Sequence, residues 1–142
     1  MKIKEGQLKP VLILPVEGVR IGVAATGSRY KDRLDLALFE IAPDSSFCCF
    51  YTKNKFAAAP VELARENQEK TNPRYLIVNS GNANAGTGKE GLLSARRICQ
   101  SVALQARCQV EEVLPFSTGV IGEPLDSAII EGHVPFTFSG LK

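Results

Sequence analysis

Three runs rich in Val, Ile, Leu and Phe follow one another early in the chain, "GVRIGVAATG", "LDLALFEIAP" and "SSFCCFYTKN", separated by Gly, Lys-Asp-Arg and Pro-Asp-Ser punctuation. Short apolar runs bounded by turn residues predict strands, here three antiparallel ones. The next piece, "FAAAPVELARENQEK", should begin extended, because Pro60 disfavours helix at Ala59, and then make a polar helical turn or two. "TNPRYLIVNS" reads as a turn and a buried strand. Leu92, Ala95, Ile98, Cys99, Val102 and Ala106 then recur at three- and four-residue steps. That spacing predicts a helix from Glu90 to Arg107 with one apolar face, and with Glu90 in the first turn and Arg107 in the last it suits the helix dipole. The following residues repeat the design: a strand ending near Phe116, a small-residue turn, and a short helix opened by Pro124 and Leu125. Strand, loop and helix occur twice, the mark of an α/β chain. No repeat, low-complexity tract or linker interrupts the pattern, so residues 1–142 are expected to form a single domain.

Composition narrows the classes of function. The chain has 142 residues, 44% of them hydrophobic and 23% charged, enough for a core and unlike a disordered tail. Its 17 basic and 15 acidic residues leave a formal charge of +2, too little to gather nucleic acid or an anionic membrane. "VLILPV" is far too short to span a bilayer and precedes no secretory cleavage site, so a cytoplasmic address is expected. Cys48, Cys49, Cys99 and Cys108 form no CxxC and no zinc-like spacing, and are expected to be buried reduced thiols. In a strand, Cys48 and Cys49 would face opposite sides. His133 is the lone histidine, with no carboxylate pair or second histidine near it in sequence, and reads as a surface residue.

Two glycine-containing segments could carry chemistry. In "NSGNANAGTGKEG" the Walker pattern fails, because Ala83 stands at the first-glycine position and Glu90 at the hydroxyl position, where a carboxylate would repel phosphate. "GTGKEG" matches the dinucleotide fingerprint in letters but has no acidic residue at the end of a following strand. The plainer reading is a turn in which several residues take positive φ and asparagine side chains bond the backbone. In "FSTGVIG", a hydroxyl residue followed by glycine just past a strand can aim an O–H and an N–H at one point, as acyl transfer requires of an oxyanion hole. Taken alone, an ordinary strand-end turn is the simpler account.

Together, "VRIGVAATGSRYKDRLDLALFEI", "FYTKNKFAAAPVELARE", "YLIVNSGNANAGTGKEGLLSARRIC" and "EEVLPFSTGVIGEPL" resemble, in order and spacing, the N-terminal part of the ornithine acetyltransferase family, the glutamate N-acetyltransferases of arginine biosynthesis. The resemblance covers about residues 17 to 130. It implies an α/β sandwich of mixed β-sheets and helices, of which this chain would be the N-terminal part. It also implies a precursor that cleaves itself before a threonine, an α chain paired with a β chain that carries that threonine, and transfer of acetyl from N-acetylornithine to glutamate in an oligomer. Members need no cofactor, and some accept acetyl-CoA as a donor. Matched position by position, Thr118 and Gly119 fall on the family's oxyanion hole. The cleavage motif and nucleophile lie downstream in family members, and "HVPFTFSGLK" does not resemble the Met-Ala end of a self-cleaved α chain, so this chain alone should be inactive. Two other classes stay open: a truncated relative with an assembly or regulatory role, and a phosphate-binding module built on the glycine loop.

Overall fold

The computed structural model describes residues 14–142. In chain order they form β1 (Val19–Ala24), β2 (Leu36–Ile41), α1 (Ala59–Gln68), β3 (Tyr75–Asn82), α2 (Gly88–Ala106), β4 (Val113–Val120) and α3 (Ser127–Ser139). The four strands lie in sequence order in one sheet; β1–β2 and β2–β3 pair antiparallel, and β3–β4 pair parallel. Parallel neighbours need a long crossover, which α2 and a 3-10 turn at Val110–Glu112 supply.

One face of the sheet is the floor of the core. Alternate residues of β3, Tyr75, Ile77, Asn79 and Gly81, are buried, as a half-covered strand of period two demands. Tyr75 and Ile77 join Ala24, Leu36, Leu38 and Val113 from the other strands. Against them pack Leu63 of α1, Ala95, Ile98, Cys99 and Val102 of α2, and Ile130 and Val134 of α3. The opposite face also alternates apolar residues, but Ile21, Val23 and Phe116 on it remain more than a third exposed.

Local chemistry fixes where elements start and join. Ala58 is extended and Ala59 is already helical, so α1 begins one residue before Pro60, which sits in the first turn where its missing N–H costs nothing. Inside the core, Asn67 donates from Nδ2 to the Val113 carbonyl at 2.9 Å and so ties the end of α1 to the start of β4. The Tyr75 hydroxyl donates to Glu40 at 2.8 Å. Asp126 caps α3 by accepting from the Ala128 N–H at 3.1 Å. At Gly22 the β1 backbone lies so close under α3 that a Cβ would overlap the Thr137 carbonyl.

The structure corrects several expectations. "SSFCCFYTKN" forms no strand: residues 45–54 lie outside the sheet, and Phe50 is 95% exposed. β-propensity alone does not make a strand when no neighbouring strand offers a ladder. Of the four cysteines only Cys99 is buried; Cys48 is exposed and Cys49 and Cys108 are half-buried, all four free. Arg107 is not in the last turn of α2 but caps it in the left-handed region at φ +55°. β4 does not stop near Phe116 but runs to Val120, and α3 starts at Ser127 rather than at Pro124.

Burial pushes the Cys99 thiol up to about 12. Burial, followed by the hydrogen bond to Glu40, also pushes Tyr75 up to about 12. The folded chain therefore holds these protons longer than the unfolded one, so their stabilisation is complete below the unfolded values and is lost as pH rises through the folded ones. Urea denaturation should show stability falling between pH 9 and 12, with a shallower fall in Tyr75→Phe. At neutral pH, Gly22→Ala should destabilise by roughly 1–3 kcal/mol, since overpacking against backbone cannot be relieved by a rotamer change.

Candidate functional site

Both glycine-containing segments converge at the carboxyl ends of β3 and β4. The ladder between these strands pairs Ser80 with Thr118 and Gly81 with Gly119, then shifts register, so that Asn82 faces both Thr118 and Val120. Gly119 sits at φ +135°, and a Cβ on it would overlap the Gly81 carbonyl carbon and the Asn82 amide nitrogen. Gly81 is at φ +114°, with the aliphatic stem of Arg29 3.3 Å from where its Cβ would be. Only glycine takes these conformations without strain, and only glycine lets the two backbones approach so closely.

This is why the Ser-Thr-Gly segment is strand rather than the expected turn. With no side chain at Gly119, β4 continues along β3 past the point where a larger residue would have forced it away. Thr118 and Gly119 are both exposed there. Beyond them the Ala83 N–H donates to the Val120 carbonyl and the Gly122 N–H to the Ala85 carbonyl, each at 2.8 Å.

Asparagine side chains hold the rest of the loop. Asn79, buried in β3, accepts from the Ser117 hydroxyl at 2.6 Å and donates to its own chain at the Asn82 carbonyl at 2.9 Å. Asn82 accepts from the Asn84 N–H at 2.7 Å and donates to the carbonyls of Glu123 and Pro124 at 3.1 and 3.2 Å. Asn84 takes a left-handed φ of +47° and is fully buried; its amide donates to the Gly91 carbonyl at 2.8 Å and accepts from the Thr87 hydroxyl at 3.0 Å. Asn84 and Thr87 thus pack their side chains against Gly91 at the start of α2, and Glu90 adds a negative charge there. The loop is scaffold, as its asparagines and positive-φ residues led one to expect, and its geometry gives the phosphate-cradle reading no support.

A second support comes from the β1–β2 connection, which sequence reasoning did not single out. Asp35 is buried and accepts from the Thr26 N–H and hydroxyl at 2.6 and 2.8 Å, while its own carbonyl accepts from the Ser80 N–H at 2.8 Å. It thereby fixes the turn that carries Arg29. Arg29 reaches over Gly81 to Glu123 at 2.8 Å, an ion pair that raises the pKa of the guanidinium. A carboxylate at the head of the apolar run "LALFEI" was the available signal, since a buried charge requires hydrogen-bonding partners.

Two clefts open near the Thr118 segment. One, of about 130 Å³, is lined by Ser28, Arg29, Gly81, Asn82 and Glu123 among others; another, of about 250 Å³, by Tyr51, Pro60, Ala64, Pro115, Phe116 and Ser117 among others. Thr118 lines neither. His133 is far along α3, half-buried, with Nδ1 2.8 Å from the Ile129 carbonyl. Among the described residues no cluster of His, Cys, Asp and Glu could hold a metal ion, and no helix is long and apolar enough to cross a membrane.

The chain is similar to known proteins over most of its length. The ArgJ family model matches residues 20–142. The arginine biosynthesis bifunctional protein ArgJ of Psychrobacter arcticus is 53% identical over 124 residues, which are 87% of this chain and 30% of that protein. Its counterpart in Methylococcus capsulatus is 43% identical over 139 residues, 98% of this chain and 34% of that protein. The chain spans about a third of the length of the curated relatives it matches. Among solved structures, ornithine acetyltransferase of Mycobacterium tuberculosis complexed with ornithine matches with a TM-score of 0.84 at 30% identity, over 89% of this chain and 68% of that one. The arginine biosynthesis bifunctional protein of Bacillus halodurans matches with a TM-score of 0.78 at 34% identity, over 84% and 62%.

The glycine crossing can be tested without an activity assay. In Gly119→Ala, the amides of Ala83 and Gly122 should exchange faster with deuterium than in the parent protein, because the added Cβ separates the strand ends. Amides in the middle of α2 should keep their protection.

Proposed function

The chain belongs to the ArgJ family, and on that premise we propose that it is the N-terminal portion of a self-cleaving acetyltransferase that moves acetyl from N-acetylornithine to glutamate. In this reading Thr118 and Gly119 form the oxyanion hole. The observation that carries it is the exposure of these two residues on a strand end whose backbone is locked by the Gly119–Gly81 crossing. Donors that are fixed before the reaction begins stabilise developing charge without the cost of reorganisation.

The nucleophile comes from outside this sequence, whose only methionine is Met1 and which therefore lacks the family's Met-Ala-Thr cleavage site. A threonine exposed by cleavage, at the start of a β chain, attacks the acetyl carbonyl of N-acetylornithine, with its own α-amine taking the hydroxyl proton. The Thr118 O–H and Gly119 N–H hold the tetrahedral oxygen. Collapse expels ornithine as its free amine and leaves an acetyl-threonine ester, which the amine of glutamate then attacks through a second tetrahedral state held by the same two donors. Ornithine is thus the product of the first half, which agrees with its presence in the matching Mycobacterium tuberculosis structure. The chain covers about two-thirds of each solved chain but only a third of the curated relatives, so the solved chains are about half as long, a length consistent with cleavage into two chains.

Thr118→Ala in the complete enzyme should lower turnover about a hundredfold to a thousandfold, the usual cost of one lost oxyanion donor. Because Thr118 is exposed, circular dichroism and the thermal midpoint should change little. Unchanged steady-state turnover would refute the assignment.

A further inference from the structure

The hydrogen bonds around Asn79 reach further than a scaffold needs. Asn79 is 7% exposed on the floor of the sheet, in line with Tyr75 and Ile77, where an apolar residue would avoid the desolvation of an amide. Both of its bonds run to the ends of the strands that carry the Thr118–Gly119 pair. The amide oxygen accepts from Ser117, the residue before Thr118, and the amide nitrogen donates to the carbonyl of Asn82, the residue against which Gly119 is pressed. The reverse orientation of the amide would set oxygen against the Asn82 carbonyl. On the far side, Asn82 grips the carbonyls of Glu123 and Pro124, so residues 118–122 are held from both ends.

We propose that Asn79 is a positioning residue for the oxyanion donors: by bonding Ser117 and the Asn82 carbonyl together, it sets where the Thr118 hydroxyl and the Gly119 amide point. This rests on the acetyl-transfer reading above. Asn79 then acts through Ser117 and Asn82, its two hydrogen-bond partners. A shift of about 1 Å in a catalytic group can cost about a hundredfold in rate, so loss of this clamp should appear in turnover more than in substrate binding.

The test is a double-mutant cycle in the complete enzyme, with kcat and KM for N-acetylornithine measured for Asn79→Ala, Thr118→Ala and the pair. Asn79→Ala should lower kcat about tenfold to a hundredfold and leave KM within about twofold. In the Thr118→Ala background the same change should cost much less, because one of the two donors it aims is already gone. Should the two effects multiply in full, Asn79 does not act through Thr118 and the proposal is overturned. Should Thr118→Ala alone leave turnover intact, it is the acetyl-transfer assignment that fails, whatever Asn79 does. If Asn79→Ala does not fold, Ser117→Ala breaks the same bond from its half-buried end and enters the cycle in its place. Ser117→Thr, which keeps the hydroxyl, should then recover most of the lost turnover, and its failure to do so counts against the clamp.

Discussion

Where Gly119 of β4 crosses Gly81 and Asn82 of β3, two peptide backbones lie in van der Waals contact with no side chain between them. The rest of the site follows from that contact. It carries the parallel ladder past the point at which β4 would otherwise peel away, and so places Thr118 on a strand instead of a mobile turn. It creates the register shift at Asn82, which frees that side chain to reach the Glu123 and Pro124 carbonyls. The positive φ of Gly81 and the room above it let Arg29 lie across the strand and meet Glu123.

Around this crossing the molecule divides its labour between apolar and polar packing. The helices α1, α2 and α3 cover one face of the sheet with Leu63, Ile98, Val102, Ile130 and Val134, and that layer supplies most of the hydrophobic stabilisation. The end of the sheet formed by the carboxyl ends of β3 and β4 and the start of β2 holds few large apolar side chains. Asp35, Asn79, Asn82 and Asn84 replace them, and nearly all their polar atoms are spent on backbone groups or hydroxyls nearby. Hydrogen-bonded networks of this kind add little net stability, but they specify a single geometry, because a half-broken network leaves a buried polar group without a partner.

How much of this was legible in the sequence depends on how local the cause was. The apolar stripe of α2 was read nearly whole, since helical periodicity is a property of one segment; Gly91 and Ala103 were the buried positions left out. The α/β class and the asparagine-rich scaffold loop were also legible, the one from alternation of elements and the other from residues that tolerate positive φ. "SSFCCFYTKN" misled because strand formation depends on a neighbour, and residues 45–54 have none in the sheet. The length of β4 misled for the opposite reason: Ser-Thr-Gly looks like a terminator until Gly81, 38 positions earlier, is seen to need that glycine as its partner. Asp35 escaped notice because its partners Thr26 and Ser28 lie in a turn with no sequence signature of its own, and the Arg29–Glu123 pair because its members are 94 positions apart. The family resemblance marked Thr118 and Gly119, but it could not say what holds them.

The two glycines at the crossing also limit how the gene can change. Every other amino acid brings a Cβ, so no missense codon at Gly81 or Gly119 is a neutral step, and replacing one glycine cannot be compensated by replacing the other. Exposed positions along α2 such as Arg97 and Gln105 carry no such restriction and can drift freely. Variation should therefore accumulate on the helical surface while the strand ends stay fixed for a steric reason, whatever reaction the protein performs.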